Sequence, residues 1–125
     1  MKIESVFMVD DDPDIREVAE LSLAHVGGWK VALAASGAEA IEKVGGISPD
    51  VILLDVMMPE MDGPTTFLKL REIEQFADTP VIFITAKVQK QEIARYLALG
   101  ASGCISKPFD PMTLPSQISE ITKSL

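Results

Sequence analysis

Residues 51–55 read VILLD, four branched apolar side chains in a row closed by a carboxylate. A run of this kind, with no polar alternation, suits a strand buried on both faces, as in a parallel sheet covered by helices. Similar apolar runs recur upstream at Val6–Val9 and downstream at Val81–Ile84, which gives three central strands. Lys30–Ala34 and Gly103–Ser106 are shorter or less branched, and such weak strands belong at sheet edges. Each gap between runs carries helical periodicity. Ile15, Val18, Ala19 and Val26 mark the inward face of a first helix, with Asp12 as N-cap, Pro13 at the first helical position and Gly27–Gly28 as the stop. A short second helix is predicted over Ala38–Val44, closed by Gly45–Gly46, and a third from Pro64 to Phe76 with Phe67, Leu70 and Ile73 inward. The fourth offers Ile93, Ala94, Leu97 and Ala98 and ends at Gly100.

The last helix carries Leu114, Ile118, Ile121 and Leu125 on one stripe. Pro115 would remove a backbone hydrogen bond from a helix begun at Pro111, so that helix either starts near Thr113 or bends. Strict strand–helix alternation over the whole length predicts an α/β fold: a doubly wound, five-stranded parallel sheet with right-handed crossovers and helices on both faces.

The composition sets the bounds. The chain has 125 residues, 47% hydrophobic and 24% charged, which suits one globular domain over residues 1–125. A single cysteine excludes an internal disulfide framework and fits a reducing compartment. No apolar run approaches the roughly 20 residues that span a bilayer. Val6–Val9, hemmed by charges, is too short for the apolar region of a signal peptide. A soluble, cytoplasmic protein with no membrane partner is therefore expected. Eleven basic against nineteen acidic residues leave a net charge of −8 with no Lys/Arg cluster, which argues against direct binding of nucleic acid.

In open α/β sheets, ligands bind beyond the carboxyl ends of the strands. Directly after the first run come Asp10, Asp11 and Asp12; after the third, Asp55; the fourth ends in Thr85, and the fifth in Lys107. Taken singly, each has an ordinary role: Asp12 as a helix cap, Thr85 as a strand end, Lys107 as solvated surface. Taken together they do not. Two carboxylates about 5 Å apart repel by roughly 3 kcal/mol at an effective dielectric near 20, so Asp10, Asp11 and Asp55 on one rim call for a cation. Carboxylates supplemented by water are the usual surroundings of Mg²⁺. The residues thus point to a hard-metal site beside a carboxylate nucleophile and a lysine.

VDDDPDIRE (9–17), VILLDVMMPEMDG (51–63), FITA (83–86) and SKPF (106–109), in that order and spacing, resemble the receiver domain of two-component response regulators over essentially the whole chain. The resemblance implies the flavodoxin-like strand order 2-1-3-4-5 and Asp55 as phosphoacceptor. It implies Mg²⁺ held by Asp11 directly, by Asp10 through water, by Asp55 and by the backbone carbonyl of Met57, with no organic cofactor. Thr85 would bind a phosphoryl oxygen once Asp55 is modified, Lys107 would neutralise another, and Lys107–Pro108 would be a cis peptide. The implied partners are a sensor histidine kinase or phosphotransfer protein as donor, and a downstream protein target. The target, or a weak homodimer, would use the face of the fourth helix, fifth strand and fifth helix, which carries Arg95, Tyr96, Cys104 and Pro115.

Two departures stand out. Three residues before the lysine the family usually has Tyr or Phe, and here Cys104 stands instead. It is read as edge-strand packing rather than a redox sensor, with Tyr96 placed to lean into the space a ring would fill. Met57 and Lys87, two positions beyond Asp55 and Thr85, flank the path of the hydrolytic water in the family. Met57 cannot orient that water, whereas Lys87 either pairs with the phosphoryl group or stays solvated. His25 is read as part of the first helix's last turn, Met57, Met58 and Met61 as packing, and Glu39 and Glu42 as a solvated helix face.

The expected function is a phosphoaccepting signalling switch that assists its own phosphorylation and dephosphorylation and is otherwise no enzyme. A phosphatase of the haloacid dehalogenase type is the alternative from another class. It needs a second Asp two residues after the first, where this chain has Met57. A flavin module is disfavoured because Asp10–Asp12 would repel its phosphate. A receiver cut from a longer kinase or regulator is the third alternative; Met1 and the absence of sequence beyond the last helix favour a whole protein without an effector domain.

Overall fold

Each apolar run becomes a strand: β1 Ser5–Val9, β2 Lys30–Ala34, β3 Val51–Asp55, β4 Val81–Thr85 and β5 Gly103–Ser106. The computed structural model describes the backbone of residues 1–125 and every side chain except that of Val44. All neighbouring strands pair in parallel, in the order β2-β1-β3-β4-β5, so the two weak strands are the edges. Every residue of β3 and β4 is buried, as uninterrupted apolar runs require.

Four helices cross over between the strands, α1 Pro13–Leu21, α2 Gly37–Lys43, α3 Gly63–Arg71 and α4 Lys90–Leu99, and α5 Leu114–Thr122 follows β5. Alternate strand residues feed two cores. Phe7, Val9, Ile52, Leu54 and Phe83 pack with Ala40 of α2, Phe67 and Leu70 of α3 and Tyr96 of α4. Val6, Met8, Leu53, Ile82, Ile84 and Ile105 pack with Ala19 and Leu23 on one side and Leu114 and Ile118 of α5 on the other. Among the described residues, no helix is long and apolar enough to cross a membrane.

Several helical details depart from the sequence reading. The first helix does not stay α-helical to Gly27: a π turn over Ser22–Val26 follows α1. The wider turn shifts the inward face, so Ser22 and Leu23 are buried while Val18 and Val26 are exposed. The buried Ser22 hydroxyl donates to the Pro111 carbonyl, which satisfies it. The third helix stops at Arg71, and a 3₁₀ turn over Glu74–Phe76 follows; Arg71 Nη1 donates to the carbonyls of Phe76 and Thr79 and holds this segment back against the fold. On α4 the buried residue is Tyr96, 1% exposed, while Leu97 is 47% exposed. Tyr96 and Pro115, expected on an output surface, are both buried. Pro115 sits in the first turn of a helix capped at Thr113, where its missing N–H costs nothing. Leu125 is exposed.

Candidate functional site

The β1–α1 turn delivers Asp10 and Asp11. Asp12 caps α1 as its pattern predicts, its Oδ1 accepting from Asp14 N–H at 2.9 Å and more weakly from Ile15 N–H at 3.5 Å. Asp10 is fully buried. Its N–H donates to the Ala34 carbonyl at 3.1 Å, and its Oδ1 accepts from Asp12 N–H at 2.9 Å. Its own carbonyl accepts from Arg16 Nη1 at 2.7 Å. Asp11 stands beside it, exposed.

Asp55 ends β3 with almost no solvent exposure. Its Oδ1 accepts a long hydrogen bond from Met57 N–H at 3.4 Å. The following loop returns at Gly63, whose N–H donates to the Val56 carbonyl at 2.9 Å. A Cβ at Gly63 would fall 2.4 Å from the Asp55 carbonyl oxygen, so only glycine lets α3 start this close to the site. Asp62 caps that helix, accepting from Thr65 N–H at 2.8 Å.

One carboxylate oxygen each of Asp10, Asp11 and Asp55 lies within 4.8 Å of the others. Lys107, at the end of β5, places Nζ 2.7 Å from Asp10 Oδ2 and 3.1 Å from Asp55 Oδ1. Its peptide bond to Pro108 is cis, as the resemblance implied. One ammonium against three carboxylates leaves the cluster net negative. Burial, helped by the charge of Asp10 and a hydrogen bond with Asp11 and opposed by Lys107, pushes the Asp55 carboxyl up to about 6. Burial alone would lower the Lys107 ammonium, but its contacts with Asp10 and Asp55 outweigh that and raise it, so it stays charged.

Asp10 Oδ2 is the one buried side-chain polar atom among the described residues without an aligned hydrogen bond, Lys107 being near but badly oriented. An orphaned carboxylate oxygen beside two other carboxylates fits a hard cation with oxygen ligands. Thr85, buried at the end of β4, accepts from Lys87 N–H at 3.0 Å and donates to no described group. Its hydroxyl proton is therefore unspent.

The structure turns Asp12 to the cap of α1, leaves Thr85 at a neighbouring strand end and brings Asp10, Asp11, Asp55 and Lys107 together. Met57 is there too, its side chain 64% exposed rather than packed. Glu39 is no idle member of a solvated face: half-buried, it accepts from Ala35 N–H at 3.0 Å and pairs with Lys43 at 3.0 Å. Arg16 escaped the sequence reading, although its place in VDDDPDIRE, one helical turn past the cap, was the available signal.

Sheet order and acidic rim can be set beside known proteins. The pattern of the response regulator receiver domain matches residues 6–119. Response regulator Rre1 of Synechocystis sp. is 35% identical over 117 residues, covering 94% of this chain and 51% of that protein. Transcriptional regulatory protein TrcR of Mycobacterium tuberculosis is 36% identical over 104 residues, or 83% of this chain and 39% of that one. Chemotaxis response regulator CheY4 of Vibrio cholerae superposes with a TM-score of 0.88 at 32% identity, covering 96% of this chain and 99% of that chain. This chain belongs to the response regulator receiver domain family. It spans about half the length, or less, of the curated relatives quoted, and nearly all of the chemotaxis protein. Nothing in these likenesses favours the dehalogenase-type alternative.

Proposed function

We propose that this chain receives a phosphoryl group on Asp55 with the help of Mg²⁺ and passes the signal on by altered protein binding. The observation that carries this reading is the cluster of buried Asp10 and Asp55 with exposed Asp11, its single lysine and its orphaned oxygen. Asp10, Asp11 and Asp55 would hold the metal, joined by the Met57 carbonyl. Bound there, Mg²⁺ would neutralise carboxylate charge and the charge on the transferring group.

The chain's own residues do the rest. With its pKa near 6, Asp55 is largely ionised at neutral pH and can attack phosphorus. As the new P–O bond forms, the donor's P–N bond breaks and the imidazole leaves as the neutral base after taking up a proton. Lys107 sits beside the attacking oxygen and offers its charge to an equatorial phosphoryl oxygen. Thr85 has a proton to give a second one, and doing so would draw the end of β4 toward Asp55.

The donor on this reading is a sensor histidine kinase or phosphotransfer protein. The output face is α4, β5 and α5, presenting Arg95 rather than the buried Tyr96 and Pro115; a weak homodimer there is a second use. We place the protein in the cytoplasm, as one receiver domain without direct contact to nucleic acid or membrane. It acts on no substrate besides its own phosphoryl group. Exposed Met57 and Lys87 give little means to orient a hydrolytic water. Intact mass measurement after incubation with acetyl phosphate tests the reading: one phosphoryl group gained with Mg²⁺ and none with excess chelator supports it, and equal labelling in both overturns it.

A further inference from the structure

Asp11 is the exposed member of the acidic cluster, and among the described residues no N–H donor or cation holds its carboxylate. Beyond its approach to Asp55, its direction is left to its backbone. That backbone has one unusual support. Arg16, half-buried on α1, folds back over the helix start, and its Nη1 donates to the Asp10 carbonyl six residues earlier at 2.7 Å. This carbonyl belongs to the planar peptide that joins Asp10 to Asp11. Fixing it limits rotation on both sides, at the point where the Asp11 side chain takes its bearing. The remaining contacts of the turn, Asp10 N–H to Ala34 and Asp12 N–H to Asp10 Oδ1, do not constrain that peptide's carbonyl.

We propose that Arg16 is a positioning residue for metal binding: its guanidinium clamps the Asp10–Asp11 peptide and so aims the Asp11 carboxylate into the cluster. The inference rests on the Mg²⁺ site proposed above. A clamp and a mere charge predict opposite signs. As a charge alone, Arg16 repels an incoming cation, and its removal would tighten Mg²⁺ binding. As a clamp it preorganises a ligand, and its removal weakens binding. A charge-assisted hydrogen bond is worth roughly tenfold to a hundredfold in an equilibrium, enough to outweigh a partly solvated charge.

The test is calorimetric titration of the full chain with Mg²⁺ alone, in wild type, Arg16→Met and Arg16→Lys, alongside thermal unfolding of the metal-free forms. The clamp predicts binding about tenfold weaker in Arg16→Met, with partial recovery in Arg16→Lys. Unchanged or tighter binding in Arg16→Met overturns it, and so does a lowered metal-free melting temperature with unaltered affinity, the mark of a purely structural role. Should Arg16→Met not fold, Arg16→Lys decides: a several-fold loss supports the clamp and wild-type affinity refutes it. Wild type that binds no Mg²⁺ would instead defeat the metal site itself.

Discussion

On the β1 side of the rim, Asp10 is held through its N–H by Ala34, through its carbonyl by Arg16 and through Oδ1 by Asp12, while Oδ2 faces Lys107 without an aligned hydrogen bond. On the β4 side, the Thr85 side chain makes one hydrogen bond, to the Lys87 backbone, and the support beneath is apolar. Phe83 stacks between Phe67 and Tyr96 with ring centroids 5.7 and 5.0 Å away, and Cys104 packs against the same cluster. Directional polar contacts fix individual atoms, whereas apolar packing fixes volume. The first flank is built to hold a ligand without moving. The second leaves the Thr85 side chain with a single directional contact above a filled apolar core.

The largest effect that would break this comparison is loss of the stack. Tyr96→Ala should cost about 3–5 kcal/mol of stability in chemical denaturation. Tyr96→Phe should cost less than about 1 kcal/mol, since the Tyr96 hydroxyl bonds to no described group. A small loss in Tyr96→Ala would mean that the β4 flank is held by something else.

Next is the cost of burying a charge on the polar flank. The Asp55 carboxyl is raised from 3.8 to about 6, so its neutral form is favoured on folding. Metal-free wild type should lose stability as pH rises from about 4 through 6, then level off. Asp55→Asn should lack that decline and be more stable at pH 7.5 by up to about 3 kcal/mol. Mg²⁺ should narrow the gap by stabilising wild type more than the variant. Parallel pH profiles for the two metal-free proteins would show that folding does not disfavour the Asp55 carboxylate as described.

The smallest effect sharpens the other flank. Burial raises the Cys104 thiol above its ordinary value, which lowers its thiolate fraction. In the folded protein it should react with thiol reagents more slowly than in the unfolded chain. Cys104→Ala should change stability by no more than about 1 kcal/mol and leave phosphorylation as it was. Fast labelling of the folded protein would reopen a redox role.

The strands and the acidic rim were legible because their signals are local. VILLD and its counterparts need no partner to read as doubly buried strands, and the strand-end rule then collects Asp10, Asp11, Asp55, Thr85 and Lys107 on one edge. The helix faces were less legible. On α4, Tyr96 and Leu97 are one position apart and periodicity accepts either; the choice of Tyr96 depends on the space beside Phe83, set by tertiary packing. Ser22 is buried because its hydroxyl finds Pro111, 89 residues along the chain, a partner no local pattern reveals. Glu39 and Arg16 have the look of solvated charges in sequence, and only the folded turns show the backbone groups they serve.

Borohydride trapping tests the central claim most directly. After Mg²⁺-dependent labelling with acetyl phosphate, an aspartyl phosphate is reduced to homoserine, and peptide mapping locates the reduced residue. The account predicts homoserine at position 55 alone, and none in Asp55→Asn. Reduction at another acidic residue, or phosphoryl transfer that leaves Asp55 intact, would contradict it.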